Sequence, residues 1–135
     1  MENRDIRWLQ RFQNFEKSLS YLQEAMEIKN PDIFQKAGTI QFFEMTFELA
    51  WNMVKDYLED QGFPDVKSPR SALKKAFETG LIVDGHKWME LLLNRNLTAH
   101  TYDEETADEV IKLIQTDYKP LLKQLYDTFE QKRNG

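Results

Sequence analysis

Residues 34–61, FQKAGTIQFFEMTFELAWNMVKDYLEDQ, carry the pattern from which the fold is read. Ile40, Phe43, Phe47, Trp51, Val54 and Leu58 recur at steps of three and four, the spacing that lines one face of an α-helix. Phe42, Met45, Leu49, Met53 and Tyr57 form a second apolar stripe, roughly 140° around at about 100° per residue. Gln41, Glu44, Glu48, Asn52, Lys55 and Glu59 make up the polar strip that remains. A helix apolar on so much of its circumference must be covered on more than one side. The expectation is one cover from the rest of the chain and a second from another copy, which would meet Phe42, Met45, Leu49 and Met53 across a twofold axis. Gly62, followed by Phe63-Pro64, reads as the helix stop.

The same period extends upstream and downstream. From about Asp5 to Lys29, Trp8, Phe12, Phe15, Leu19, Leu22 and Met26 line one face of a first helix, and Asn30-Pro31 ends it. Ser68-Pro69 reads as an N-cap with proline in the first turn, opening a short helix that Gly80 closes. Leu81-Ile82-Val83 has strand propensity but no partner strand, so a connector is expected. Asp84 caps a fourth helix reaching about Ala99, with Trp88, Leu91, Leu92 and Leu97 inward. Asp103-Glu104-Glu105 opens a fifth, where the helix dipole favours negative charge. Ala107, Val110, Ile114, Tyr118, Leu121 and Leu125 form its apolar face, and Pro120 within it predicts a kink. With no period-two segment, the fold expected is all-α: an antiparallel up-and-down four-helix bundle with one extra short helix, residues 1–135 forming a single domain.

Composition narrows the function classes. Eighteen Lys and Arg against 23 Asp and Glu give a net charge of −5, which disfavours a broad nucleic-acid-binding surface while allowing a small cationic site. The absence of cysteine excludes disulfides, thiolate metal sites and cysteine nucleophiles. The opening Met1-Glu2-Asn3-Arg4-Asp5-Ile6-Arg7 has no apolar core, and no long apolar run follows, so the expectation is a cytoplasmic protein without a membrane segment. His86 and His100 are the only histidines and no HExxH is present, so neither a metal nor another cofactor is expected. Ser68 and Ser71 lack the setting of a serine triad. Glu104-Glu105 and Asp108-Glu109 read as solvated charge at a helix start. Arg4, Arg7 and Arg11 share one face, and Arg70, Lys74 and Lys75 another; each reads as a solvated cationic surface or as a contact for phosphate. Gln41, Glu44 and Glu48, lying between two apolar stripes, read as a wet face or as part of a binding site.

Residues 94–103, NRNLTAHTYD, gather an arginine, amides, an imidazole and a phenol at a helix end. Asn96 and His100 are four apart and share a face, whereas Arg95 lies roughly 140° from His100 on an ideal helix. Arg95 and His100 converge only through the long arginine stem, a loosened last turn or a symmetry mate. His100 as a helix C-cap and Tyr102 as a packing residue with a bonded hydroxyl is the alternative that the residues leave open.

Arg95-X4-His100-X-Tyr102, with Asn96 directly after the arginine, resembles the RX4HXY signature of the HEPN superfamily of small helical proteins. The rest of the chain resembles one branch of it, the nucleotidyltransferase substrate-binding protein family. The resemblance runs through Ile40-Gln41-Phe42-Phe43-Glu44-Met45-Thr46-Phe47-Glu48-Leu49-Ala50-Trp51, Ser68-Pro69-Arg70, Gly80-Leu81-Ile82 and Arg95 to Asp103, over about residues 6–128. It implies a dimerising four-helix bundle paired with a separately encoded minimal nucleotidyltransferase, often as a toxin–antitoxin couple. It also implies two activities at the motif. In many superfamily members the arginine and histidine cleave RNA without metal, and in the nucleotidyltransferase-paired branch the tyrosine is itself adenylylated by the partner. The function expected is therefore a substrate-binding partner subunit of a nucleotidyltransferase, with Tyr102 as nucleotidylation acceptor and with Asn96, Tyr102, Gln41, Glu44 and Glu48 as binding residues. The alternative is a metal-independent ribonuclease toxin in which His100 moves the 2′-hydroxyl proton and Arg95 stabilises the charged phosphorane of an RNA substrate.

Overall fold

The computed structural model describes residues 3–95 and 102–135. Six α-helical segments follow one another: α1 (Asn3–Met26), α2 (Ile33–Asp60), α3 (Pro69–Glu78), α4 (Gly85–Asn94), α5 (Glu104–Leu113) and α6 (Lys119–Asn134). A π-helical turn, Ile114–Tyr118, joins α5 to α6, so the last two segments run on as one long helix. Among the described residues there is no strand, and residues 81–83 form the expected connector.

Local chemistry sets the boundaries. Asp32 caps α2 through a capping box: its side chain accepts from Gln35 N at 2.8 Å, and Gln35 Oε1 accepts from Asp32 N at 2.9 Å. At the other end Gly62 adopts φ 97°, which lets Phe63 N reach Leu58 O at 3.0 Å while Gly62 N bonds Glu59 O at 3.1 Å. Gly80, at φ 83°, repeats this for α3, with Leu81 N on Ala76 O at 2.8 Å and Gly80 N on Phe77 O at 3.2 Å. Both ends are Schellman closures, in which a left-handed residue satisfies carbonyls that the helix leaves open. Ser68 caps α3 with Pro69 in its first turn, as the sequence predicts. Asp84 precedes α4 without a side-chain cap bond.

Where a kink is expected at Pro120, the structure shows a π turn just before the proline. Proline lacks the donor for the preceding turn and crowds it. The helix widens one turn earlier, where Lys119 N bonds Ile114 O, and resumes with Pro120 in the opening turn of α6, where the missing donor costs little.

The bundle packs α1, α2 and the α5–α6 rod around a core from which α3 and α4 close the remaining side. Trp8, Phe12, Phe15 and Leu22 of α1 meet Ile40, Phe43, Phe47 and Val54 of α2 and Ala107, Val110, Ile114, Tyr118, Leu121, Leu125 and Phe129 of the rod. At the α1 N-terminal end Phe129 takes edge-on contacts from Trp8 (5.5 Å) and Tyr57 (5.3 Å). The second stripe of α2 is divided. Met53 is fully buried within the chain and Tyr57 belongs to this aromatic cluster, against Trp8 of α1 and Phe129 of α6, so neither is left for a second copy to cover. Phe42 and Leu49 are half-buried and Met45 is exposed.

Charge fills the edges of the same interfaces. Arg11 bonds the buried carboxylate of Asp56, with Arg7 Nε and Lys55 Nζ each 3.7 Å from it. Arg7 also reaches Glu59 at 3.2 Å. The cationic face of α1 expected as a contact for phosphate is therefore spent, through Arg7 and Arg11, on α2. Glu104 and Asp108 both pair with Lys36, at 2.7 and 2.9 Å, and these contacts raise the Lys36 pKa, Glu104 contributing most.

Candidate functional site

Two helix segments bring the first predicted site residue into place. Phe47 on α2 is buried, and its next neighbour Glu48 faces outward. Arg95, at the end of α4, lies across them: its guanidinium carbon is 4.9 Å from the Phe47 ring centroid and its Nη2 donates to Glu48 Oε2 at 2.8 Å. The second carboxylate oxygen of Glu48 accepts from Trp51 Nε1 at 3.1 Å. An aromatic face beneath and a carboxylate at the side hold the guanidinium plane in a defined orientation. Beside it, Gln41, Glu44, Met45, Glu48 and Leu49 line a shallow depression of about 420 Å³. The structure thus joins Arg95 to the polar strip of α2 that carries three of the predicted binding residues.

Asn94, next to Arg95, supports the arrangement from the other side. Its Nδ2 donates to the Tyr118 hydroxyl at 2.7 Å, and the Tyr118 ring stacks on Phe43 with centroids 5.7 Å apart. Tyr118 closes the π turn, so the irregularity that accommodates Pro120 is also where the rod meets the end of α4. Burial raises the Tyr118 pKa, and the Asn94 bond partly offsets that. Sequence reading treated Tyr118 as core and missed this contact, since nothing in the local pattern links positions 94 and 118. Phe47 was likewise read as core alone, although its ring also carries the Arg95 guanidinium.

Tyr102 is 81% exposed, immediately before the Asp103 that opens α5. Its ring is not part of the buried core. Asp103 is held by Thr106 Oγ1 at 2.7 Å, and the first turn of α5 is tied to α2 through Lys36, so the backbone beside Tyr102 is anchored. Of the other predicted residues, Asn96 and His100 lie outside the described residues. The α3 cluster is split: Lys75 pairs with Glu78 at 3.0 Å and caps the Phe63 ring, while Arg70 and Lys74 are exposed.

Fold and surface together define a small helical bundle that presents an arginine, an acidic strip and an exposed tyrosine at helix ends. The chain belongs to the nucleotidyltransferase substrate binding protein like family, whose model matches residues 10–131. It is similar to the probable ribonuclease HepT of Haemophilus influenzae, 38% identical over 81 residues that make up 53% of this chain and 51% of that one. The chain thus spans about half the length of the curated relative it matches. Two solved structures are also similar. A Thermus thermophilus protein superposes with a TM-score of 0.74 at 31% identity, over 82% of this chain and 94% of its own. A Haemophilus influenzae protein, described as revealing the fold of a substrate binding domain of a nucleotidyltransferase, superposes with a TM-score of 0.67 at 28% identity, over 95% and 99% of the two chains. No helix among the described residues is long and apolar enough to cross a membrane.

Proposed function

We propose that this chain is the non-catalytic partner subunit of a separately encoded minimal nucleotidyltransferase, in a toxin–antitoxin pair, and that Tyr102 is the nucleotidylation acceptor. The observation that carries this reading is the 81% exposure of Tyr102 on an anchored turn, in the motif that begins at Arg95. In the reaction the phenolic oxygen bonds to the α-phosphorus of a nucleoside triphosphate, pyrophosphate leaves, and the phenol proton passes to the partner enzyme or solvent. The product is a phosphodiester anion next to a bulky nucleoside, and Arg95 is the cation of the motif suited to receive it. Family membership and the described H. influenzae fold support the choice of partner. The test is intact mass and peptide mapping after incubation with the cognate nucleotidyltransferase, ATP and magnesium. The native chain should gain AMP-sized increments on the peptide containing Tyr102, and Tyr102→Phe should not. No gain, or an equal gain in the variant, sinks the proposal.

A second reading is favoured by the likeness to a probable ribonuclease. In it Arg95 and His100 cleave RNA without metal, and modification of Tyr102 blocks their access. Loss of RNA cleavage in Arg95→Gln and His100→Ala, with unchanged circular dichroism, supports it; retention removes it. In both readings a twofold homodimer covers Phe42, Met45 and Leu49, the part of the second α2 stripe that the chain leaves half-covered or exposed. A strictly monomeric mass in sedimentation at micromolar concentration would count against that assembly.

A further inference from the structure

Both carboxylate oxygens of Glu48 are engaged, one by Arg95 Nη2 at 2.8 Å and the other by Trp51 Nε1 at 3.1 Å. Trp51 lies one turn further along the same helix, so its indole fixes the direction in which the carboxylate points. The carboxylate in turn holds the guanidinium over Phe47. An arginine that receives phosphate uses the same forked N–H donors that a carboxylate takes, so the two anions compete for it.

We propose that Glu48 is a built-in competitor for Arg95, holding the guanidinium in place until the oxygens of a phosphate-bearing ligand displace it. This rests on Arg95 being the phosphate-recognising cation of the proposed function. The exposure of the pair suits a contact meant to yield, since the side chains are 48% exposed for Glu48 and 35% for Arg95. Ion pairs this open to water are weak, unlike buried ones, which lock. Glu48 therefore does two things at once. It keeps Arg95 oriented on the aromatic face, and it sets a threshold that a singly charged, monodentate anion does not cross while a forked phosphate does. Displacement also takes the guanidinium from the carboxylate that the Trp51 indole bonds and so changes the charge beside the ring, whereas Trp8 and Trp88 are buried elsewhere in the core. Trp51 thus reports on the exchange.

The experiment titrates the full chain with two probes, inorganic phosphate and a single-stranded 2′-O-methyl oligoribonucleotide that resists cleavage, and follows tryptophan emission and calorimetric heat. The two arms distinguish a free phosphate from the phosphate of a strand. With the native chain, emission should change on binding, and Trp51→Phe should abolish the change without abolishing the heat. Glu48→Gln, which retains an acceptor for Trp51, should bind on the order of two- to fivefold more tightly, the scale of an exposed pair. Glu48→Asp keeps the charge but falls a methylene short of Arg95, and it should follow Glu48→Gln. Arg95→Gln should lose most of the binding. If Glu48→Gln binds no more tightly than native while Arg95→Gln binds worse, the competitor is overturned and the phosphate site stands. If Glu48→Asp behaves as native, the effect is one of charge alone and the competitor is again overturned. If Arg95→Gln binds both probes as well as native, the underlying reading of Arg95 fails instead. Thermal melts of each variant confirm that the folds compared are the same.

Discussion

Where α1 meets α6, Glu16 accepts from the Tyr126 hydroxyl at 2.7 Å and from Arg133 at 3.3 Å, Arg133 also pairs with Glu130, and its guanidinium lies 4.6 Å from the Phe12 ring centroid. Where α2 meets the end of α4, Arg95 uses the same vocabulary, a guanidinium over a phenylalanine beside a glutamate, but with the motif residues and a surface depression next to it. The first cluster joins two long helices, with Arg133 in the last turn of α6. The second lies where a short helix ends, against an α2 face that the chain leaves partly uncovered. The two pairs are similarly exposed, 29% and 37% for Arg133 and Glu16 against 35% and 48% for Arg95 and Glu48, and both arginines sit at the end of a helix. What separates them is the setting: Arg133 is tied to Glu16 of α1 and Glu130 of α6, whereas Arg95 lies beside a surface depression and the rest of its motif.

The largest expected effect tests the closed end. Phe129→Ala removes a fully buried ring from between Trp8 and Tyr57, and urea denaturation should show a loss of about 3–5 kcal/mol. Next comes Asp56→Asn, which takes the charge from a buried carboxylate held by Arg11 with Arg7 and Lys55 close by. The expected loss is about 1–3 kcal/mol, since Arg11 remains partly solvated. A loss as small as that of an exposed pair would erase the contrast between the two regions.

The clamp between α1 and α6 should reveal itself through pH. The bond from Tyr126 to Glu16 lowers the Glu16 pKa and pushes the Tyr126 phenol up to about 12 from an ordinary 10.0. A raised folded-state pKa contributes stability that is complete below the unfolded value and disappears as pH rises through the folded one. Native protein should therefore lose stability between about pH 10 and 12, and Tyr126→Phe should lack that component. The same bond acts oppositely in acid: the stability that ionised Glu16 contributes is present above its unfolded pKa and lost as pH falls through the depressed one. Chemical denaturation across both ranges checks the signs.

The smallest stability effects belong to the open region. Arg95→Gln should cost no more than about 1 kcal/mol and Tyr102→Phe should stay within about 0.5 kcal/mol, while both act on the proposed function. A large loss of stability in Arg95→Gln would move Arg95 into the same class as Arg133.

Much of this was legible in the chain itself. The stripe Trp8, Phe12, Phe15, Leu22, the stripe Ile40, Phe43, Phe47, Val54, Leu58 and the face from Ala107 to Leu125 are buried as the period requires. Gly62 and Gly80 stop their helices and Ser68-Pro69 starts one, because those residues act on backbone groups within a few positions of themselves. Of the candidate site, residue type drew attention to residues 94–103, the roles of Arg95 and Tyr102 came from the family resemblance, and the polar strip of α2 was marked by its place between two apolar stripes.

Amino-acid order alone determined the helices, the capped ends at Gly62, Ser68-Pro69 and Gly80, and the main inward faces, since these depend on hydrogen bonds and periodicity that span at most a turn or two. Tertiary structure decided who meets whom. It buried Met53 and set Tyr57 against α1 and α6 while leaving Met45 exposed, although all three belong to one stripe. It spent Arg7 and Arg11 on Asp56, and joined Arg95 to Glu48 across 47 positions and Asn94 to Tyr118 across 24. A helical period specifies the direction in which a side chain leaves its own axis. The neighbour that receives it depends on where other helices cross and where they stop, which is settled only when the whole core packs.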